Sequence, residues 1–225
     1  MTARVAVLAF PGSCDDRDAL RAVGIVGAEP VRVWHADDDL DGAGAVIVPG
    51  GFSYGDYLRP GALAALSPAM AAVREFAAAG GPVLGICNGF QVLTEAGLLP
   101  GILRPNTHLQ FRCELVGLRV QRESAWLPGG VAGDVLEIPV KHHDGCYFAT
   151  AEQLDDLDAG AQVLLRYVRN PNGSIESIAC VTNAAGNVAG LMPHPEHAVD
   201  PLLGSVDGRI LLQGLIEQAA VGAVA

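Results

Sequence analysis

A repeated pairing limits what this chain can fold into. A short apolar run is followed by a glycine or proline break, and then by a longer stretch with helical spacing. Arg4 to Phe10 reads as a buried strand and Pro11-Gly12-Ser13 breaks it. Asp15 to Val26 then carries Ala19, Leu20, Val23 and Val26 at helical spacing. Val31 to Trp34 and Ala45 to Val48 are two further strands, the second ending at Pro49-Gly50-Gly51. An alanine-rich helix is predicted over Gly61 to Ala79, stopped by Gly80-Gly81. Pro82 to Ile86 is a fourth strand that runs directly into Cys87 and a helical pattern reaching Ala96. This alternation predicts an α/β fold: a doubly wound, mostly parallel sheet with helices on both faces.

From about Leu103 to Ala149 strand-like segments dominate, among them Leu115 to Val120 and Val135 to Val140, and a β-rich antiparallel insertion is expected. Gln162 to Val168, Ile178 to Thr182 and Val188 to Leu191 read as later strands, and a closing helix is predicted over Arg209 to Ala219. No repeat or linker interrupts the pattern, so residues 1–225 are read as one domain. The acidic clusters Asp37-Asp38-Asp39 and Asp155-Asp156 read as solvated loops.

Composition removes several function classes. The net charge is -11, from 14 basic and 25 acidic residues, which disfavours nucleic acid and anionic membrane as partners. No apolar run reaches the roughly 18 residues that would suggest a bilayer span. The N-terminus shows no cleavage site after a hydrophobic region, so no signal peptide is expected. The five cysteines are scattered, with no C-x-x-C pair, so no disulfide framework is expected and the natural compartment is a reducing cytoplasm. Lys141 is the only lysine, and it does not stand in a phosphate-binding loop, so the chain shows no recognisable ATP site.

Three segments carry chemistry. Gly85-Ile86-Cys87-Asn88-Gly89 is G-x-C-x-G at a strand-to-helix junction, the pattern of a nucleophile elbow with cysteine as the nucleophile. Such a tight turn needs small neighbours, and a helix N-terminus favours the thiolate of Cys87. The Asn88 N–H can point at an oxyanion. Pro193-His194-Pro195-Glu196-His197 is the second segment. Proline pushes the residue before it toward extended backbone, which lets His194 and Glu196 project from one side, base and orienter for Cys87. In the third, Pro49-Gly50-Gly51 ends a strand, and the Gly51 N–H is a candidate second oxyanion donor. His142-His143-Asp144 is read as substrate-facing or structural. Adjacent histidines on a strand face opposite ways, which makes a shared metal awkward, and no metal site is expected. His35, His108 and His197 read as structural or surface residues, and Cys14, Cys113, Cys146 and Cys180 as small core or surface residues.

Together these segments resemble the class I (triad) glutamine amidotransferases, and within them the glutaminase subunits of de novo purine synthesis. The resemblance covers nearly the whole chain. It rests on Ala9 to Ser13 (A-F-P-G-S), Gly50 to Ala62 (G-G-F-S-Y-G-D-Y-L-R-P-G-A), Gly85 to Gln91 (G-I-C-N-G-F-Q), Asn170 to Ser174 (N-P-N-G-S) and Met192 to Glu196 (M-P-H-P-E). It implies that Cys87 attacks the glutamine carboxamide, that His194 moves protons and Glu196 orients it, and that the N–H groups of Gly51 and Asn88 hold the oxyanion. It further implies that Gln91 helps grip the glutamine. Ammonia would pass to a larger synthetase subunit that uses ATP and Mg to convert formylglycinamide ribonucleotide to formylglycinamidine ribonucleotide, with a third, small subunit bridging the two. No cofactor is implied on this chain itself. The chain departs from the family at His197, where the pattern carries arginine, and at His143, Asp144 and Cys146 in K-H-H-D-G-C-Y, which matches the family's A-H-G-E-G-R-Y.

Two other readings keep the same fold. One is a free-standing cysteine hydrolase or chaperone-like protein, which would need no partner. The other is a non-catalytic ligand-sensing domain, which would have little reason to keep Cys87, His194 and Glu196 together. Glutaminase activity with a thiol-less control separates all three.

Overall fold

A computed structural model describes residues 2–222. The first apolar run forms β1 (Arg4–Ala9), and helix α1 (Asp16–Ile25) connects it to β2 (Glu29–Trp34) and then β3 (Ala45–Val48). Helix α2 (Pro68–Ala78) leads into β4 (Val83–Ile86), and α3 (Asn88–Glu95) begins one residue later. Next come β5 (Ile102–Arg104), β6 (Arg112–Val120), β7 (Val135–His142) and β8 (Cys146–Phe148). Helix α4 (Ala151–Ala159), β9 (Val163–Tyr167), β10 (Ile178–Thr182), β11 (Val188–Leu191) and α5 (Arg209–Gly222) follow.

Nine strands form one sheet in the order β2-β1-β3-β4-β11-β10-β9-β6-β7. The first five are parallel and the rest pair antiparallel. From β1 the chain goes out to β2 and then returns past β1 to β3 and β4, so the winding reverses between β1 and β3. In such sheets ligands bind at the carboxyl ends of the strands near that reversal. The ends of β1, β3, β4 and β11 all open on that edge. Direction alternates from β11 to β7, so the end of β7 opens there too.

Every residue of β3, β4 and β11 is buried, as is β1 after Arg4. Helix α1 packs on β1 and β2, α5 on β3, and α3 on β3, β4 and β11. Strands covered on both faces read as continuous apolar runs, which is why these were visible in the sequence.

The β-rich segment is antiparallel, as expected: β6 and β7 extend the main sheet through β9, and β5 and β8 form a separate two-stranded ribbon. Two expectations need correction. The alanine-rich helix is not continuous from Gly61. A single short turn at Ala64–Leu66 comes first, and α2 starts afresh where the Ser67 side chain caps the Met70 N–H and Pro68 takes the first helical position. Asp155 and Asp156 lie within α4 rather than in a loop. That helix opens on a capping box in which Thr150 and Gln153 satisfy each other's backbone N–H.

Candidate active site

The elbow follows from two glycines and one strained residue. Cys87 has φ 50° and ψ −106°, a left-handed conformation that a non-glycine residue adopts only when its surroundings impose it. They do so here: its N–H is fixed to the Leu191 carbonyl at 2.8 Å, and α3 starts at the next residue. Helix α3 lies so close to β3 that a Cβ on Gly89 would run into the Val48 carbonyl oxygen. Cys87 is thus presented at a helix N-terminus, only 6% exposed.

His194 and Glu196 sit in the tight turn after β11. The His194 N–H donates to the Pro139 carbonyl of β7 at 2.8 Å, which buries the imidazole completely. Glu196 Oε1 is 2.6 Å from His194 Nδ1. Among the described residues, His194 Nε2 and Glu196 Oε2 are buried side-chain atoms without a hydrogen-bond partner. Burial alone would lower the pKa of His194. The charges of Glu196 and Cys87 outweigh it and hold the ring well above its ordinary value. A carboxylate on Nδ1 places the exchangeable proton at Nε2, and a neighbouring thiol can supply it.

Gly51 lies across from the elbow with φ 143°, wedged so closely against Gly12, Ser13 and Cys14 that a Cβ would not fit. The hydrogen bonds that fix this approach run from Phe52 N–H to Gly12 O at 2.9 Å and from Cys14 N–H to Gly50 O at 3.3 Å, and neither uses the Gly51 N–H. The Asn88 side chain ties α3 to the loop after Gly51. Its Oδ1 accepts the Ser53 N–H at 3.0 Å, and its Nδ2 donates to Gln91 Oε1 at 2.9 Å. Gln91 Nε2 donates to the Asp144 carbonyl at 2.7 Å, so Gln91 braces the loop after β7 as well as facing the cleft.

The cleft, about 440 Å³ of empty space, brings Cys87, Gly51 and Gln91 together with Asp56 and Asp144. Burial, and then the Asp144 carboxylate, push Asp56 up to about 6, while the hydrogen bond from Asn88 pulls the other way. Asp144 lies in the segment read from the sequence as substrate-facing or structural, whereas Asp56 is absent from the sequence-derived candidates.

The two adjacent histidines divide their roles. His142 is buried between Asn106 and Asn172, with Nδ1 3.1 Å from Asn106 Oδ1, and burial pushes it down to about 3. It is structural. His143 stands at the cleft, paired with Asp144 at 3.0 Å. The N-P-N-G-S segment explains why the loop holds its shape. Asn172 Nδ2 donates to the Gly145 carbonyl at 2.8 Å, and Ser174 Oγ accepts the Tyr147 N–H at 3.0 Å.

The structure also places near His194 three residues that sequence reading passed over as functional: Asp15, Lys141 and His197. Asp15, His194, Glu196 and His197 form the one cluster among the described residues with metal-ligating geometry, their ligand atoms lying within 4.8 Å of one another. The Lys141 ammonium already supplies positive charge at Asp15. No spacing in the sequence links position 15 to position 194; only the parallel arrangement of β1 and β11 brings them together. Among the described residues, no helix is long and apolar enough to cross a membrane.

Comparison with known proteins gives a consistent answer. A family described as the CobB/CobQ-like glutamine amidotransferase domain matches residues 2–209. The phosphoribosylformylglycinamidine synthase subunit PurQ of Streptomyces avermitilis is 55% identical over 215 residues, covering 91% of this chain and 92% of that protein. The subunit of the same name from Rubrobacter xylanophilus is 54% identical over 219 residues, covering 97% of this chain and 100% of that protein. Among solved structures, a chain in the structure of PurLQS from Thermotoga maritima superposes with a TM-score of 0.89 at 43% identity, covering 96% of this chain and 99% of that chain.

Proposed function

The chain belongs to the CobB/CobQ-like glutamine amidotransferase family, and from that premise we propose that it is the glutaminase subunit of a phosphoribosylformylglycinamidine synthase. One observation carries the chemistry: a cysteine on a strained elbow interacts with a fully buried imidazole whose Nδ1 is 2.6 Å from a carboxylate. The Cys87 thiolate attacks the carboxamide carbon of glutamine. The oxyanion that forms is held by the N–H groups of Gly51 and Asn88. His194 gives its Nε2 proton to the leaving ammonia, and a γ-glutamyl thioester remains. Water, deprotonated by His194, then releases glutamate. Glu196 keeps the ring oriented and stabilises its charged form. Glutamine is zwitterionic at its head, and the Asp56–Asp144 pair offers negative charge for its α-ammonium.

Ammonia has no acceptor in this chain. It goes to an ATP- and Mg-dependent synthetase subunit that makes formylglycinamidine ribonucleotide, with a small bridging subunit completing the complex. The similarity to a chain of PurLQS supports this assembly. The cytoplasm is the compartment that suits such a complex. The test is glutamine-dependent synthesis by the reconstituted complex. A complex that made product from ammonia but never from glutamine, with this chain intact, would overturn the proposal.

A further inference from the structure

More charge surrounds His194 than a triad uses. Glu196 and His197 face it from its own turn, Asp15 from the loop after β1, Cys87 from the elbow and His142 from β7, with Lys141 of β7 paired to Asp15. Asp15 stands out, because it is a carboxylate only 2% exposed. Its N–H is fixed to the Gly50 carbonyl at 3.2 Å, so the side chain lies over Gly50, where a Cβ would meet both Asp15 and His194. Asp15 Oδ2 is 3.8 Å from His194 Nδ1. Asp15 Oδ1 is ion-paired with the Lys141 ammonium and lies 3.4 Å from His197 Nε2. Lys141 also lines the cleft that holds Cys87: the thiol lies 3.8 Å from the Lys141 backbone carbonyl, and the ammonium is close enough to interact with the sulfur by charge.

We propose that the Asp15–Lys141 ion pair positions charge for the nucleophile, its carboxylate end facing the His194 imidazole and its ammonium end facing the Cys87 sulfur. This rests on the reading of Cys87 as nucleophile and His194 as base. The step it favours is a proton transfer: the Cys87 S–H bond breaks, an N–H bond forms at His194 Nε2, and a thiolate and an imidazolium remain. Four charges then alternate in sign, from thiolate to ammonium to carboxylate to imidazolium. In a water-poor site each neighbouring pair attracts. Burial pushes the Asp15 carboxyl up, but His197, His194 and Lys141 outweigh it and hold Asp15 far below the usual carboxylate range, so it stays ionised. His197 supports the same carboxylate. Asp15 and Lys141 are positioning residues, acting through His194 and Cys87.

The experiment is the pH dependence of iodoacetamide alkylation of Cys87 in the full chain. The adduct is mapped by peptide mass spectrometry, because Cys14 and Cys113 are also exposed. Alkylation follows the thiolate, so the midpoint of the profile reports its stability. Asp15→Asn and Lys141→Met each move the midpoint upward and slow alkylation at pH 6.5 by roughly threefold or more, and Lys141→Arg restores the wild-type profile. Folded Asp15→Asn and Lys141→Met proteins with wild-type profiles would overturn the proposal. Should Asp15→Asn fail to fold, the contrast between Lys141→Met and Lys141→Arg decides alone, because Lys141 keeps 32% of its side chain exposed. A wild-type Cys87 alkylated no faster than the exposed Cys14 and Cys113 would instead remove the nucleophile–base reading, and the proposal with it.

Discussion

The Asn88 side chain accepts the Ser53 N–H at 3.0 Å, joining the first residue of α3 to the loop that follows Gly51. Both candidate oxyanion donors, the N–H groups of Asn88 and Gly51, are thereby placed relative to each other by one buried hydrogen bond. The loop beyond is strained, with Tyr54, Asp56 and Leu58 at φ 53°, 54° and 68°. It also presents Tyr57 and Leu58 to solvent, 75% and 83% exposed.

That arrangement gives a prediction about coupling. The isolated chain hydrolyses glutamine slowly, and the synthetase subunit with its substrates raises the rate by at least tenfold. A partner pressing on the exposed loop acts on the Gly51 donor, and one oxyanion donor is worth about 100-fold or more in rate. The measurement is steady-state glutamate release with and without the partner. Full turnover by the chain alone, unchanged by the partner, contradicts it and favours a free-standing hydrolase.

Cys87→Ser abolishes glutamine-dependent synthesis and leaves ammonia-dependent synthesis near the wild-type rate. The thiolate serves only the glutaminase step. Parallel assays of the reconstituted complex with the two nitrogen donors check this, and an equal fall in both would remove the nucleophile assignment.

His194→Ala lowers glutamine hydrolysis by about a thousandfold or more, and Glu196→Gln by less, because His194 moves the proton and Glu196 acts one step removed. His142→Ala loses its hydrogen bonds to Asn106 and Asn172 and melts at lower temperature, by roughly 1–3 kcal/mol in stability. A folded His142→Ala as inactive as His194→Ala would reassign the base.

Asp56 supplies a pH signature. It is charged above about 6 and neutral below, so KM for glutamine rises as pH falls through that value, and Asp56→Asn raises KM at neutral pH. Stability runs the opposite way. The folded state favours the protonated acid, so stability is complete below about 4, the ordinary carboxylate value, and is lost as pH rises through about 6. Asp56→Asn is therefore more stable than wild type at pH 7, by roughly 1 kcal/mol after solvent screening, and no more stable at pH 4. Thermal melts at both pH values, together with KM, decide it.

What the sequence revealed was what neighbouring residues decide together. β3, β10 and β11 fall on their predicted boundaries because apolar runs ended by turn residues leave little choice. The elbow was legible because Gly85, Cys87 and Gly89 lie within one turn of chain. Helix α4 is masked in the sequence by the adjacent charges of Asp155 and Asp156, although the Thr150-x-x-Gln153 cap marks its start. Asp15, Lys141 and His197 were missed for a different reason. Each is ordinary in its own segment and gains meaning only where the end of β7 and the loops after β1 and β11 converge at one edge of the sheet. The reach of β7 was equally invisible: it lies at the far edge of the sheet order, yet its Pro139 carbonyl binds the His194 N–H.

That last contact bears on how the protein is made. A ribosome releases the elbow, with its cysteine, long before the turn that carries His194. The imidazole cannot take its place until β7 and β11 have both joined the sheet, and β7 pairs only through β6 and β9. The nascent chain therefore carries a thiol without a base while residues 88–194 are made, and gains reactivity toward glutamine only as the last strands close. Incomplete or truncated products should be inert toward the cell's glutamine pool.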